Sequence, residues 1–286
     1  MIQLMDVPHL ASFLPVSEAN EYVFHYTTGS IALEHILADK KLKLSPFCDT
    51  HDPREAKGWR FSFTSSGGRL GRAMDFKEGQ EEWLRNWLGS TDITTKAKQE
   101  SKLLCTTLDG RDAQSAQSTL YDRGFVRSRM WDQYADRHKG VCLAFRRQLL
   151  DEQIKLQFDS DDVYSGPVKY SDQETGEFVL SYDKIQEKSL EDAVAEHLVE
   201  YRNDLFFHKL RDWESENEYR WLAVTRGSAE PEYVDYGASL CGVILGVDFP
   251  QVYDVLAREL CGEHVKIQRL GYHNGMPHIE FPDQQV

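Results

Sequence analysis

The chain has 286 residues, 41% of them hydrophobic and 12% aromatic, enough for one large domain or two small ones around a packed core. Its formal net charge of −14 argues against a dedicated binder of nucleic-acid backbone, which needs clustered Lys and Arg, although a local basic groove stays open. The five cysteines, Cys48, Cys105, Cys142, Cys241 and Cys261, are odd in number and far apart and contain no CxxC, so they indicate neither a disulfide framework nor a zinc finger and fit a reducing cytosol.

The first residues, MIQLMDVPHLASFLP, lack the basic start and continuous apolar run of a signal peptide, and no later stretch approaches bilayer-spanning length. The expectation is a soluble, cytoplasmic chain with no membrane partner. YVFHYT (22–27) has the β-branched and aromatic content of a strand, and Ser30 is expected to cap a helix whose apolar face is Leu33, Ile36 and Leu37. LKLS (42–45) alternates as a short strand stopped by Pro46, and a polar loop, CDTHDPREAKGW, leads to the strand-like FSFTSSGG. Trp83, Leu84, Trp87 and Leu88 have helical spacing, and KLLCTTL (102–108) is expected to be a buried strand.

The block RMWDQYADRHKGVCLAF (129–145) predicts a helix capped by Ser128, with Met130, Tyr134 and His138 on one face and Gly140 supplying its end. VCLAF follows as a strand buried on both faces. Residues 189–212 carry a long helical stripe of Leu190, Val194, Leu198, Tyr201 and Leu205 with Ser189 as cap, and EYRWLAV is the strand after it. The C-terminal part alternates strand (LCGVILGV), helix (VYDVLAREL) and strand (VKIQRLGY, then PHIEF). No repeat or linker interrupts the chain, and no GxGxxG or P-loop is present, which argues against Rossmann-type and P-loop chemistry. The expected fold is α+β: one domain over 1–286 with a mixed, mostly antiparallel sheet and flanking helices, an N-terminal extension over 1–20, and helical insertions over 66–100 and 171–212.

Four clusters of residues could carry chemistry. On the strand FHYTT, His25 and Thr27 share one face, where an imidazole beside a hydroxyl can hold a ribose diol; a buried histidine satisfied by backbone explains His25 equally. In HDPREAKGW, Asp52 and Pro53 have the positions of a helix cap and first residue, and Glu55 falls in the first turn where the helix dipole favours a carboxylate. In the central block, Arg129, Trp131 and Tyr134 form a candidate recognition wall facing His25 and Glu218, while His138 suits a helix C-terminus without further function. In WESENEYR, Glu214, Glu216 and Glu218 alternate, with Arg220 on the same parity, and such crowded carboxylates raise at least one pKa unless a cation intervenes.

Taken together, FHYTT, LKLSP, DPRE, KLLC, the central block, WESENEYR and VILG resemble a mainly bacterial family catalogued as domain of unknown function 2971. Its MW-x-x-Y-A-x-x-H-x-G and W-x-x-E-x-E-Y-R blocks are the specific parts. His51 stands where that family commonly has asparagine. The order of a strand with H-Y-T, a helix, a short strand with a serine (Ser45) and a late Glu opening a strand is also similar to ADP-ribosyltransferases, which split NAD at a split sheet.

That second resemblance implies an NAD-consuming transferase or glycohydrolase, including effectors of bacterial conflict such as phage defence. In it His25 and Thr27 would hold ribose, Trp131 or Tyr134 would stack on nicotinamide, and Glu218 or Glu216 would support an oxocarbenium centre. Arg129 or Arg220 would bind pyrophosphate. NAD is then the substrate, a macromolecule or partner protein the acceptor, and no metal is required. Two other readings stay open: a sensor module that binds a nucleotide or a protein without catalysis, and a metal-dependent nuclease built from Asp52, Glu55, Glu216, Glu218 and His138.

Overall fold

The computed structural model describes residues 13–15, 21–59, 61–65, 68–69, 92–111, 113, 115, 118–173, 179–181, 187–188 and 190–280. Its strands are, in chain order, β1 (Tyr22–Thr27), β2 (Lys41–Pro46), β3 (Ser62–Ser65), β4 (Gly68–Arg69) and β5 (Ser101–Leu108). There follow β6 (Val141–Arg146), β7 (Val163–Pro167), β8 (Lys169–Tyr170), β9 (Val179–Ser181) and β10 (His208–Lys209). The last are β11 (Glu218–Val224), β12 (Glu232–Asp235), β13 (Leu240–Leu245), β14 (Lys266–His273) and β15 (Met276–Glu280).

Ten of these described strands form one sheet in the order β12-β2-β5-β1-β6-β13-β14-β15, with β11 also paired to β5 and β7 to β11. Every pairing in it is antiparallel except β13 with β14, so the fold is a single α+β domain on a mixed, mostly antiparallel sheet. β6 lies inside this sheet, and its residues divide between two cores: Val141, Leu143 and Phe145 face one, Cys142 and Ala144 the other. Burial on both faces is why VCLAF carries no polar position. A third apolar cluster, with Phe47, Trp59, Phe206 and Leu222, packs on the β5–β11 half.

One strand, β5, is shared by two half-sheets. Its early residues pair with β2 through Ser45↔Leu103 and Pro46↔Lys102, and its late residues pair with β1 through Phe24↔Thr107 and Val23↔Leu108. β11 runs along the other edge for its whole length, from Glu218↔Thr107 to Val224↔Ser101. The sheet therefore forks beside Cys105.

Several local expectations are corrected. Thr28, not Ser30, caps the first helix, its Oγ1 accepting the Ile31 amide at 3.3 Å. The helix opening the central block runs only over Ser128–Tyr134, with Arg127 at its N-cap and no side-chain cap. It stops because Asp136, Arg137 and His138 have φ of 45°, 52° and 68°, and left-handed residues cannot continue a right-handed helix. The long stripe after 189 is divided at Tyr201 into Leu190–Glu200 and Arg202–Leu205. Ser189 and the helix expected around Trp83 to Leu88 lie outside the described residues, and Pro46 ends β2 from within it. Among the described residues no helix is long and apolar enough to cross a membrane.

Gly140 is fixed by close approach rather than by its dihedrals. A Cβ there would lie 2.2 Å from the Thr27 carbonyl oxygen and 2.8 Å from Ala135. Since both contacts include backbone, Gly140→Ala is expected to lose about 1–3 kcal/mol of stability, measured by urea unfolding. An unchanged midpoint would contradict the packing described.

Candidate functional site

The fork in the sheet opens into a cavity of about 250 Å³. Alternation along β5 turns the main chain of Cys105 away from β11 and into the gap between β1 and β2, where no described strand pairs with it. His25 fills part of this gap, its Nδ1 3.1 Å from the Cys105 carbonyl oxygen. A carbonyl only accepts, so Nδ1 carries the hydrogen. Burial pushes the imidazole below its ordinary pKa, although the Cys105 carbonyl opposes that shift, and the neutral ring keeps an accepting Nε2.

Strand register places Phe24, Thr107 and Glu218 on one face of the sheet, and Cys105 with Arg220 on that same face. The cavity floor is a buried ion cluster. Arg220, fully buried, donates from Nε to Glu218 Oε1 at 2.6 Å and from Nη2 to Glu218 Oε2 at 3.0 Å, and it meets Glu55 Oε1 at 2.6 Å. Lys209 on β10 reaches Glu216 Oε2 and Glu218 Oε2, each at 2.9 Å. The Tyr134 hydroxyl donates to the remaining Glu216 oxygen at 2.8 Å. The parallel pairing of β10 with β8 places Lys209 here, and Tyr170 of β8 accepts the Glu218 amide at 2.8 Å.

Glu216 arrives by a route the alternating pattern does not describe. Arg211–Glu216 coils as a 3-10 helix, Asn217 takes φ 46°, and only at Glu218 does the strand begin. Glu214 is consequently left exposed, while Glu216 turns inward to 2% exposure. The expected crowding of carboxylates is resolved by cations. Burial pushes the Glu218 carboxyl up, but Arg220 and Lys209 outweigh it and hold the group at about 2. For Glu55 burial prevails and the carboxyl is raised, against Arg220 and Lys209. The two acidic neighbours and Glu55 drive Lys209 upward in spite of its burial.

Of the residues singled out from sequence, His25, Ser45, Asp52, Tyr134, Glu216, Glu218 and Arg220 line the cavity. Glu55 stands behind Arg220 as its partner. Thr27 is buried opposite Val141, outside the lining. The expected recognition wall is reduced to Tyr134. Trp131 is fully buried, donates Nε1 to the Phe125 carbonyl at 2.8 Å and packs edge-on against Tyr26, so neither of its faces is offered to a ligand in the cavity. Arg129 is exposed and bonds Gln133, Ser215 and the Asp212 carbonyl, with its guanidinium over Trp213. His138 lies between Trp131 and Tyr272, and its carbonyl accepts the Asp248 amide.

Lys209 is the central residue that sequence reasoning missed. The signal was a lone lysine in the apolar run LFFHKL, where a charged side chain has to find a buried partner. Trp213, Cys105 and Thr107 also line the cavity without having been singled out. Among the described residues, no group of three or more His, Cys, Asp or Glu side chains is placed to hold a metal ion. Of the carboxylates in the nuclease reading, Glu55, Glu216 and Glu218 are paired with Arg220 or Lys209, Asp52 caps the helix that begins at Pro53, and His138 is not gathered with them.

A family model described as Protein of unknown function (DUF2971) matches residues 130–221, which include Tyr134, Lys209, Glu216, Glu218 and Arg220. The chain is similar to that family over this segment, which carries one side of the cavity. No curated protein and no solved structure matches the chain.

Glu218 gives the cluster a testable pH signature. Its carboxyl is held below its ordinary 4.5, so the stabilisation it provides is present above pH 4.5 and is lost as pH falls toward 2. Glu55, raised, acts in the opposite sense at higher pH. The stability gap between the wild type and Glu218→Gln is therefore expected to be on the order of 3 kcal/mol at pH 6 and to close on acidification toward pH 2, measured by urea unfolding. A gap independent of pH would contradict the cluster.

Proposed function

We propose that the forked cavity binds the nicotinamide-ribose part of NAD and supports cleavage of its glycosidic bond, with transfer of ADP-ribose to a macromolecule or to water. The observation that carries this reading is the convergence of His25, Tyr134, Glu216 and Glu218 on one cavity, from segments far apart in the chain. At about 250 Å³ the cavity is slightly smaller than the roughly 300–1,000 Å³ of pockets for drug-sized ligands. It suits one nucleoside-sized part of a dinucleotide, with the phosphates outside near Lys43 and His51 on the lining.

In the proposed reaction the C1′–N bond breaks with its electron pair leaving on nicotinamide, whose ring charge is neutralised. The ribose becomes an oxocarbenium ion, which an acceptor nucleophile attacks at C1′ while giving up its proton. Glu55, Glu216 and Glu218 against Arg220 and Lys209 give three carboxylates to two cations, an arrangement that favours positive charge developing nearby. Glu216 is the better group to meet a ribose hydroxyl, because its bond from Tyr134 can be exchanged for one from the ligand. Glu218, held by Arg220 at both oxygens, acts by position and charge. The accepting Nε2 of His25 is suited to a second ribose hydroxyl.

The saturation of Glu218 also favours a second reading, a sensor that binds the nucleotide without turning it over. Incubation with NAD and candidate acceptors separates the two. Under the transferase reading nicotinamide is released, and Glu216→Gln and Glu218→Gln each lower the rate by about 100-fold or more. NAD binding without release leaves the sensor, and neither binding nor release removes both.

A further inference from the structure

Asp52 has two oxygens, and the fold uses one. Oδ1 caps the short helix Pro53–Ala56 by accepting the Arg54 amide at 2.9 Å. Oδ2 has no hydrogen-bond partner, although the residue is only 2% exposed and lies on the cavity wall. Arg54 acts on this carboxylate through its charge without bonding Oδ2. Two residues earlier on the same loop, Thr50 Oγ1 is likewise buried, unpartnered and part of the lining residue set. A buried acceptor left open costs stability unless something completes it, and here two polar atoms are left open on one wall.

The pair differs in kind. A carboxylate oxygen only accepts, whereas a hydroxyl can donate, so together they match a ligand edge with an N–H donor beside an acceptor. A carboxamide has that edge, and so does the amino-substituted edge of adenine. Ribose hydroxyls match it less well and are already provided for by His25 and Glu216.

We infer that Asp52, with Thr50, is a specificity residue that reads a neutral donor–acceptor edge, amide or aminopurine, on the ligand in the cavity. This rests on the NAD reading for the identity of the ligand and not for the geometry of the wall. Deamination would be the discriminating change. It replaces the donor with a carboxylate oxygen in nicotinic acid, which Asp52 repels, and it reverses the edge in hypoxanthine, where an oxo acceptor stands in place of the amino group and N1–H donates beside it.

The test is calorimetric titration of the wild type, Asp52→Asn and Asp52→Ser with NAD, nicotinic acid adenine dinucleotide and nicotinamide hypoxanthine dinucleotide. Both substitutions keep a side chain that caps helices well, so loss of fold is avoided, and circular dichroism checks it. The wild type is expected to bind one deaminated form about 100-fold more weakly than NAD, and both variants should weaken NAD and erase the discrimination. Loss with the nicotinic acid form identifies the carboxamide as the edge; loss with the hypoxanthine form identifies adenine, which sustains the inference but puts the adenosine half in the cavity and so overturns the proposed function.

Equal binding of all three dinucleotides, or unaltered discrimination in the variants, overturns the inference while leaving the proposed function standing. If NAD does not bind, the same comparison is made with free nicotinamide against nicotinic acid and adenosine against inosine. Asp52-dependent preference there sustains the inference after the NAD reading has fallen. Absence of binding by every probe overturns it.

Discussion

A guanidinium at zero exposure has to be answered by carboxylates, and the position of Arg220 on β11 determines where much of this molecule can go. Glu218 answers it from the same strand two residues earlier, and Glu55 answers it from the first turn of a helix more than 160 residues away in sequence. Lys209 then neutralises the excess carboxylate and brings in Glu216, which brings in Tyr134. Four segments are thereby tied together around the fork in the sheet. Removing one member of such a buried set leaves uncompensated charge, at a cost of about 3–5 kcal/mol, so the cluster acts as a unit.

That arrangement has a chemical consequence. Because the oxygens of Glu218 are committed to Arg220 and Lys209, it does not reorganise when a ligand arrives; its field is fixed in advance. Preorganised charge of this kind is effective where positive charge develops in a water-poor site. The exchangeable positions lie around it: Glu216 through its bond from Tyr134, and the free ring nitrogen of His25. A fixed floor with exchangeable walls suits either tight recognition or catalysis, and only turnover separates these.

The elements that depend on local pattern were legible in the sequence. β1, β5, β6 and β11 carry β-branched and aromatic runs, and Asp52-Pro53 announces its cap by residue type alone. The shared face of Glu218 and Arg220 is legible from alternation because both lie on one strand. Glu216 was brought to the same site by a different device, a 3-10 turn closed by left-handed Asn217, which period-two reasoning cannot foresee. The left-handed run Asp136 to His138 likewise breaks a helical spacing that looked continuous. Trp131 shows the complementary failure: helical position puts it near Tyr134, but Tyr26 and the Phe125 carbonyl pull it into the core. Lys209 depends on a two-residue parallel pairing between β8 and β10, a tertiary contact; the apolar run LFFHKL around it signals a buried partner without naming which one.

The central claim is that the fork between β1 and β2 is where the ligand sits, over the Arg220 cluster. A crystal structure of the protein with NAD or a slowly cleaved NAD analogue tests it most directly. The account predicts density for the ribosyl part inside the fork, within hydrogen-bonding distance of Glu216 and His25 Nε2. Density at another surface, or an empty fork at saturating ligand, would contradict it.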